Sequence, residues 1–127
     1  MRLDPRFAAV SAGLVLAVVL CGAVAARSSS QDLRDVAIGE LPHEAHEVLR
    51  QISAGGPFPF DRDGITVVNR EHQLPNAPHG YYHEYTVPTP GAKNRGAHRI
   101  ICGGTRNRPE VCYYTSDHYR TFRRIRE

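Results

Sequence analysis

The sequence predicts an α+β domain, an N-terminal helix packed on a twisted antiparallel β-sheet, and three observations lead to it. One segment, residues 40–56, carries apolar residues at helical spacing. Everything after it breaks into short β-type runs punctuated by Gly, Pro and Asn. The length that remains beyond an apolar leader, about 100 residues, suffices for one compact core and not for two.

The leader comes first. "MRLDPRFAAVSAGLVLAVVLCGAVAARSSS" opens with Arg2 and Arg6, runs apolar from Phe7 to Ala26, and ends in small residues around Ala23-Val24-Ala25. That order is a secretory signal peptide over 1–26, with cleavage expected after Ala25 or Ala26. The apolar run, roughly 20 residues, is also long enough for an uncleaved membrane anchor. Cys21 lies within it, and Leu20 is not the small residue expected before a lipid-modified cysteine. A polar linker, 27–36, then precedes the domain at 37–127.

"ELPHEAHEVLRQISAGG" places Leu41, Ala45, Val48, Leu49 and Ile52 on one stripe. Pro42 suits a first helical position and Gly55 the residue past the last turn, so the helix is expected over 42–54. "GPFPFDRDG" is turn chemistry. Strands are expected near 65–69, 81–87, 97–102, 111–115 and 121–125.

Two hairpins set registers. Folding 81–87 onto 97–102 around Pro90-Gly91 in a symmetric register puts Glu84 opposite Arg99, with Tyr82 and Thr86 on the same side. In the second hairpin Cys102 stands opposite Cys112, and Ile100 opposite Tyr114. Side chains alternate, so Arg99 and Ile101 face one way while His98, Ile100 and Cys102 face the other. On an export-bound chain the default for Cys102 and Cys112 is a disulfide; zinc is the alternative, disfavoured by nine intervening residues and no C-x-x-C spacing.

The net charge of +3 hides an asymmetry. Residues 27–90 hold five Arg/Lys against nine Asp/Glu, whereas residues 91–127 hold nine against three. A basic C-terminal part suits a polyanion such as nucleic acid, and it equally suits a solvated face. "HEAH" at 43–46 spaces its histidines three apart, not the four of the metalloprotease motif, and both lie on the polar side of the helix stripe. The Gly-Gly pairs at 55–56 and 103–104 have no phosphate-loop pattern around them, and no internal repeat is present.

The constellation that carries chemistry is Glu84, Arg95, Arg99 and His118. A carboxylate, an imidazole and two guanidiniums are what cleavage of a phosphodiester by its own 2′-hydroxyl needs: a base, an acid and fixed positive charge. The plainer alternative is a cross-strand ion pair between Glu84 and Arg99, with His118 a surface turn residue. Glu71, in the "NRE" loop after "GITVV", can accept two hydrogen bonds from the N1 and N2 edge of guanine, or be a solvated loop acid.

These residues stand in a recognisable order. "GPFPF…DG…NRE…LP…GYYHEYTV…TPGA…RG…RII…YYT.DHY.TF" resembles the secreted bacterial guanyl-specific ribonucleases related to barnase, collinearly over residues 38–126. The resemblance implies the microbial ribonuclease fold, with Glu84 as general base, His118 as general acid, and Arg95 and Arg99 at the phosphate. It implies Tyr119 as a further phosphate donor, and guanine read by Glu71 with the backbone N–H groups of Asn69 and Arg70. No cofactor and no metal are expected, since the nucleophile is internal and the arginines supply the charge.

The implied activity is an endoribonuclease cutting single-stranded RNA on the 3′ side of guanosine, through a 2′,3′-cyclic phosphate. The expected state is a secreted, extracellular monomer, with a barstar-like protein inhibitor in the producing cell by analogy with barnase. A catalytically silent RNA-binding or inhibitor-binding domain is the alternative, against which all four catalytic residue types argue. Two departures stand out. Val67 holds a position commonly aromatic in the family, where a base-stacking ring is worth roughly 1 to 3 kcal/mol. His98 holds a position often basic, which makes a pH-dependent contact with a distal phosphate the expectation.

Overall fold

The computed structural model describes residues 33–127; the expected signal peptide and most of the expected linker lie outside the described residues. The chain runs β1 (Asp35–Ala37), a 3-10 turn (Ile38–Glu40), α1 (His43–Ala54), β2 (Tyr82–Thr86), β3 (Arg99–Thr105), β4 (Arg108–Thr115) and β5 (Arg123–Arg126). The sheet order is β1-β5-β4-β3-β2. Every neighbouring pair is antiparallel except β1 and β5, which are parallel, so the sheet is mixed where an antiparallel one was expected.

β1 was not foreseen, and it takes Asp35 and Val36 out of the expected linker. Only Val36 of its three residues is buried, so the strand carries no alternation to read. What holds it is tertiary: Asp35 accepts from Arg124 Nε at 3.0 Å and Arg126 Nε at 3.1 Å.

α1 forms where the apolar stripe predicts, with Ala45, Val48 and Ile52 buried. Pro42 is its N-cap and not its first helical residue. Gly55 closes it at φ 79°, a left-handed conformation that costs glycine little, and the amide at that end bonds back to the last carbonyls. The helix packs on one sheet face, where Tyr85, Val87, Ile100, Cys102 and Tyr114 join its stripe in the main core.

The other face carries a second cluster: Leu74, Tyr82, Ile101, Tyr113 and Phe122, with Val67 and Tyr119 against it. Loops, not a helix, border this face. It is the face that Glu84 and Arg99 share.

The second hairpin has the predicted register, with Ile100 opposite Tyr114 and Cys102 opposite Cys112, until a shift between Gly103 and Gly104. Cys102 and Cys112 form a disulfide. The first hairpin differs from expectation: Glu84 pairs with Ile101, and Thr86 with Arg99. The slip is two residues, an even number, so every side chain keeps its face. The expected strand at 65–69 is reduced to one bridge, Thr66 to His83. Gly64, Ile65 and Val67 do bond to the β2 edge, but the chain then leaves it at Asn69.

Candidate active site

Glu84 is the anchor. It sits in the middle of β2, 4% exposed, and points into the loop-bordered face. A carboxylate so buried has to be paired or hydrogen-bonded to remain ionised at low cost. Tyr119 donates its hydroxyl to Oε2. Two cations approach Oε1, Arg95 through Nη2 and Arg62 through Nε, each at 3.5 Å.

Arg95 is aimed by Thr86, one pleat along β2 on the same face as Glu84. Its Nε and Nη2 donate to Thr86 Oγ1 at 3.1 and 2.9 Å. The next residue permits the bend: Gly96 has φ +67°, and a Cβ there would lie 2.6 Å from Thr89 Oγ1. A side chain at 96 would therefore displace the loop that carries Arg95.

Arg99 is 2% exposed. Its Nη1 donates to the carbonyls of Gly96 at 3.0 Å and His98 at 2.8 Å, and its Cζ stands 5.9 Å from the centre of the Tyr119 ring. Its Nε is buried with no partner among the described residues. The cross-strand ion pair with Glu84 allowed by the sequence is not formed; Arg62 and Arg95 hold that carboxylate instead.

His118 and Tyr119 follow β4 in an unusual backbone, both left-handed at φ 56° and 69°. Non-glycine residues rarely adopt this conformation, so something must hold it. The His118 amide donates to Ala97 O at 3.1 Å and the Tyr119 amide to Thr115 Oγ1 at 3.2 Å. Asp117 accepts from Thr115 Oγ1 at 2.9 Å, from the Thr121 amide at 2.9 Å and from Thr121 Oγ1 at 2.6 Å. Burial pushes the Asp117 carboxyl up, but the hydrogen bonds from Thr121, Thr115 and the Arg120 backbone outweigh it and bring the pKa down to about 2. The Tyr119 hydroxyl is driven up by burial and by its bond to the Glu84 carboxylate, with Arg99 opposing. It is thus a donor at neutral pH.

The "NRE" loop closes on itself. The Asn69 side chain donates to Leu74 O at 2.7 Å and accepts from Leu74 N at 3.2 Å, spanning the loop that presents Glu71. Glu71 is exposed and accepts from Gln73 Nε2 at 3.2 Å. The Arg70 amide already donates to Val68 O at 2.9 Å.

A cavity of about 810 Å³ joins these parts, lined among others by Asn69, Arg70, Glu71, Glu84, Arg95, His118 and Tyr119. Its apolar wall is Val67, Leu74, Ile101 and Phe122. Arg99 lies outside the lining, behind Tyr119. His98 does not line the cavity: its half-buried ring packs toward Tyr114, with Nδ1 3.4 Å from the Tyr114 hydroxyl, on the helix side of the sheet. Among the described residues no group of three or more His, Cys, Asp or Glu could hold a metal ion, and the helix-borne His43 faces Glu47 at 3.8 Å.

Several contributors were missed from sequence. Thr86 was placed on the correct side with no role given, whereas Arg62, Asp63, Thr115 and Asp117 went unremarked. "DRDG" read only as a turn. Its acid-base-acid alternation beside a strand of site residues was the available signal.

Residues 24–126 match the family model described as ribonuclease. The chain is 44% identical over 140 residues to guanyl-specific ribonuclease Sa3 of Kitasatospora aureofaciens, covering 98% of this chain and 97% of that one. It is 51% identical over 87 residues to guanyl-specific ribonuclease Sa of the same organism, covering 68% and 88%. The crystal structure of ribonuclease Sa2 with guanosine-2′-cyclophosphate superposes with a TM-score of 0.67 at 44% identity, covering 74% of this chain and 96% of that one.

Proposed function

The chain belongs to the ribonuclease family, and from that membership and the geometry of its cavity we infer a guanyl-specific endoribonuclease that cleaves single-stranded RNA by transphosphorylation. The observation that supports it most is the buried Glu84 on the cavity wall, held by Tyr119 and Arg95, with His118 reaching the same cavity from the loop after β4.

In this reading Glu84 takes the proton of the guanosine 2′-hydroxyl, O2′ bonds to the adjacent phosphorus, and the P–O5′ bond breaks. His118 gives its proton to the departing O5′. Arg95, with the Tyr119 hydroxyl, meets the charge that grows on the phosphoryl oxygens, and Arg99 adds fixed positive charge from behind the Tyr119 ring. Water then opens the 2′,3′-cyclic phosphate: His118 takes the water proton and Glu84 returns a proton to O2′, leaving a 3′-phosphate. Acid and base exchange roles between the steps.

Glu71 carries guanine recognition, since its exposed carboxylate matches the N1–H and N2–H donors that adenine lacks. The Arg70 amide has to release Val68 O to join it; the amide of Asn69 is the freer of the two. With Val67 in the wall, base stacking falls to aliphatic contact or to the flexible Arg70 side chain.

We assign the protein to the extracellular space on the strength of its leader, acting as a monomer, with a barstar-like inhibitor in the producing cell. Digestion of a mixed-sequence RNA by the 27–127 domain in EDTA tests the activity. Cuts confined to the 3′ side of guanosine support it, and intact RNA favours a silent binding domain. Size-exclusion chromatography with light scattering tests the monomer.

A further inference from the structure

The reaction derived above uses only part of the basic charge of residues 91–127. Four of the nine cations there fall in one short run, Arg120, Arg123, Arg124 and Arg126, and none of them has a role in it. The fold sorts them by face. Cross-strand partners keep their side chains on one side of a sheet, and the row Glu84, Ile101, Tyr113, Arg124 runs from β2 to β5. Arg124 therefore stands on the face of Glu84, three strands away, roughly 14 Å by strand spacing. Asp35 agrees with that placement, accepting from Arg124 Nε at 3.0 Å and Arg126 Nε at 3.1 Å. The residues between them point the other way: Val36 and Ile125 pack into the helix core, and Arg123 lies over Tyr114 on that side. At the near end Arg120 and Phe122 line the cavity itself. Every second residue from 120 to 126 thus faces the loop-bordered side, and three of the four are arginines. Two residues of a strand advance about 6.7 Å, close to the interval between successive phosphates of an extended single strand.

Ion pairing leaves much of this charge available. Arg124 and Arg126 share one carboxylate, and among the described residues each bonds to it through Nε, with no partner for its Nη groups. Their side chains are 38% and 53% exposed. Exposed pairs of this kind contribute little to stability and so yield to a competing anion.

We propose that Arg120, Arg124 and Arg126 form a track for RNA outside the cleaved linkage, binding phosphates beyond the cavity and favouring long chains over dinucleotides. The proposal rests on the ribonuclease reading above, which puts the scissile phosphate in the cavity. Continuity with the cavity through Arg120 makes the substrate itself, and not a separate polyanion, the occupant. The track meets backbone phosphates, so it adds affinity without reading bases.

The probe is an RNA nonanucleotide of pyrimidines around one central 2′-deoxyguanosine, which has no nucleophile at the guanosine and is bound uncut; the corresponding dinucleotide is its short counterpart. Binding to the 27–127 domain is read by calorimetry over a range of salt concentrations. Arg124→Gln/Arg126→Gln is expected to weaken the nonanucleotide about tenfold and to make the log–log salt slope shallower by roughly 1.4, two phosphate contacts at about 0.7 each, with the dinucleotide changed less than about twofold. Arg124→Lys/Arg126→Lys keeps the charges and should keep most of the affinity. Arg106→Gln/Arg123→Gln removes two charges from the side that carries Tyr114 and His83, and should leave the nonanucleotide within about twofold of wild type. Asp35→Asn releases both guanidiniums and should tighten nonanucleotide binding, a gain that partial unfolding cannot imitate. A Gln pair at 124 and 126 that binds the nonanucleotide like wild type or like the pair at 106 and 123, or that weakens the dinucleotide equally, overturns the proposal, as does an Asp35→Asn domain that binds no tighter. Cleavage of ordinary RNA by the wild type is scored separately: its absence counts against the ribonuclease reading and leaves the nonanucleotide titration to judge the track.

Discussion

Glu84 and His118 are separable by the leaving group. On RNA, Glu84→Gln and His118→Ala should each lower the rate by roughly 10²- to 10⁴-fold, the usual worth of a positioned base or acid. With a guanosine 3′-phosphodiester of nitrophenol, the departing phenolate needs little protonation, so His118→Ala should recover much of its rate and Glu84→Gln should not. Rescue of Glu84→Gln instead would reverse the two roles. At the other end of the cavity, Glu71→Ala should reduce cleavage after G far more than residual cleavage after other bases, measured by mapping cut sites in one mixed-sequence transcript. An equal loss everywhere would make Glu71 structural. Residue type alone left the base, the acid and Glu71 beside plainer alternatives, and it is the collinear order of the motifs, by resemblance, that assigns these roles. Arg62 was not legible, because one arginine in a turn says nothing until the turn is seen stapled to Glu84.

At the level of the element, the loop after β4 is held chiefly through Asp117, which organises Thr115 and Thr121 around two left-handed residues. Asp117→Asn should lower the rate on RNA by about 10- to 100-fold by misplacing His118, and the loss should shrink with the nitrophenol diester. A defect of equal size on both substrates would mark general unfolding. The folded carboxyl titrates at about 2 against an ordinary 3.8, so its stabilisation is complete above 3.8 and is lost as the pH falls through 2. In acid denaturation the variant should therefore lack part of the wild-type transition in that window. Element by element, α1 was readable because its stripe is tertiary burial written at a helical period. The β4 hairpin was readable because the two cysteines registered it. The first hairpin slipped because the long loop between its strands contains no such marker, and β1 was invisible because a single buried valine has no period.

Taken whole, the molecule divides the two faces of its sheet between the helix core and the cavity that Glu84 enters. The disulfide between β3 and β4 closes a short loop, worth about 3 kcal/mol in the chain-entropy model. His83 belongs to β2 and is buried at 7% exposure, on the opposite side from Glu84. Burial, with Arg106 assisting, holds its imidazole below the ordinary 6.5. The unfolded chain then takes the proton more readily, so stability is full above 6.5 and declines as the pH falls from there toward the folded value. Between pH 7 and pH 5 the wild-type melting temperature should drop, and His83→Gln should flatten that drop; an unchanged slope would assign it to other groups.

The parallel pairing of β1 with β5 has a consequence for the order of folding. β5 follows every other described strand in the chain, yet it lies between β1 and β4, and the bond from Arg124 to Asp35 spans 89 residues of chain. The sheet therefore cannot close until this four-residue strand, which follows all the others, has found its place, and non-local pairing of this kind forms late and slowly. A chain ending at residue 122 should accordingly be cut by trypsin within the sheet under conditions where the full-length domain survives.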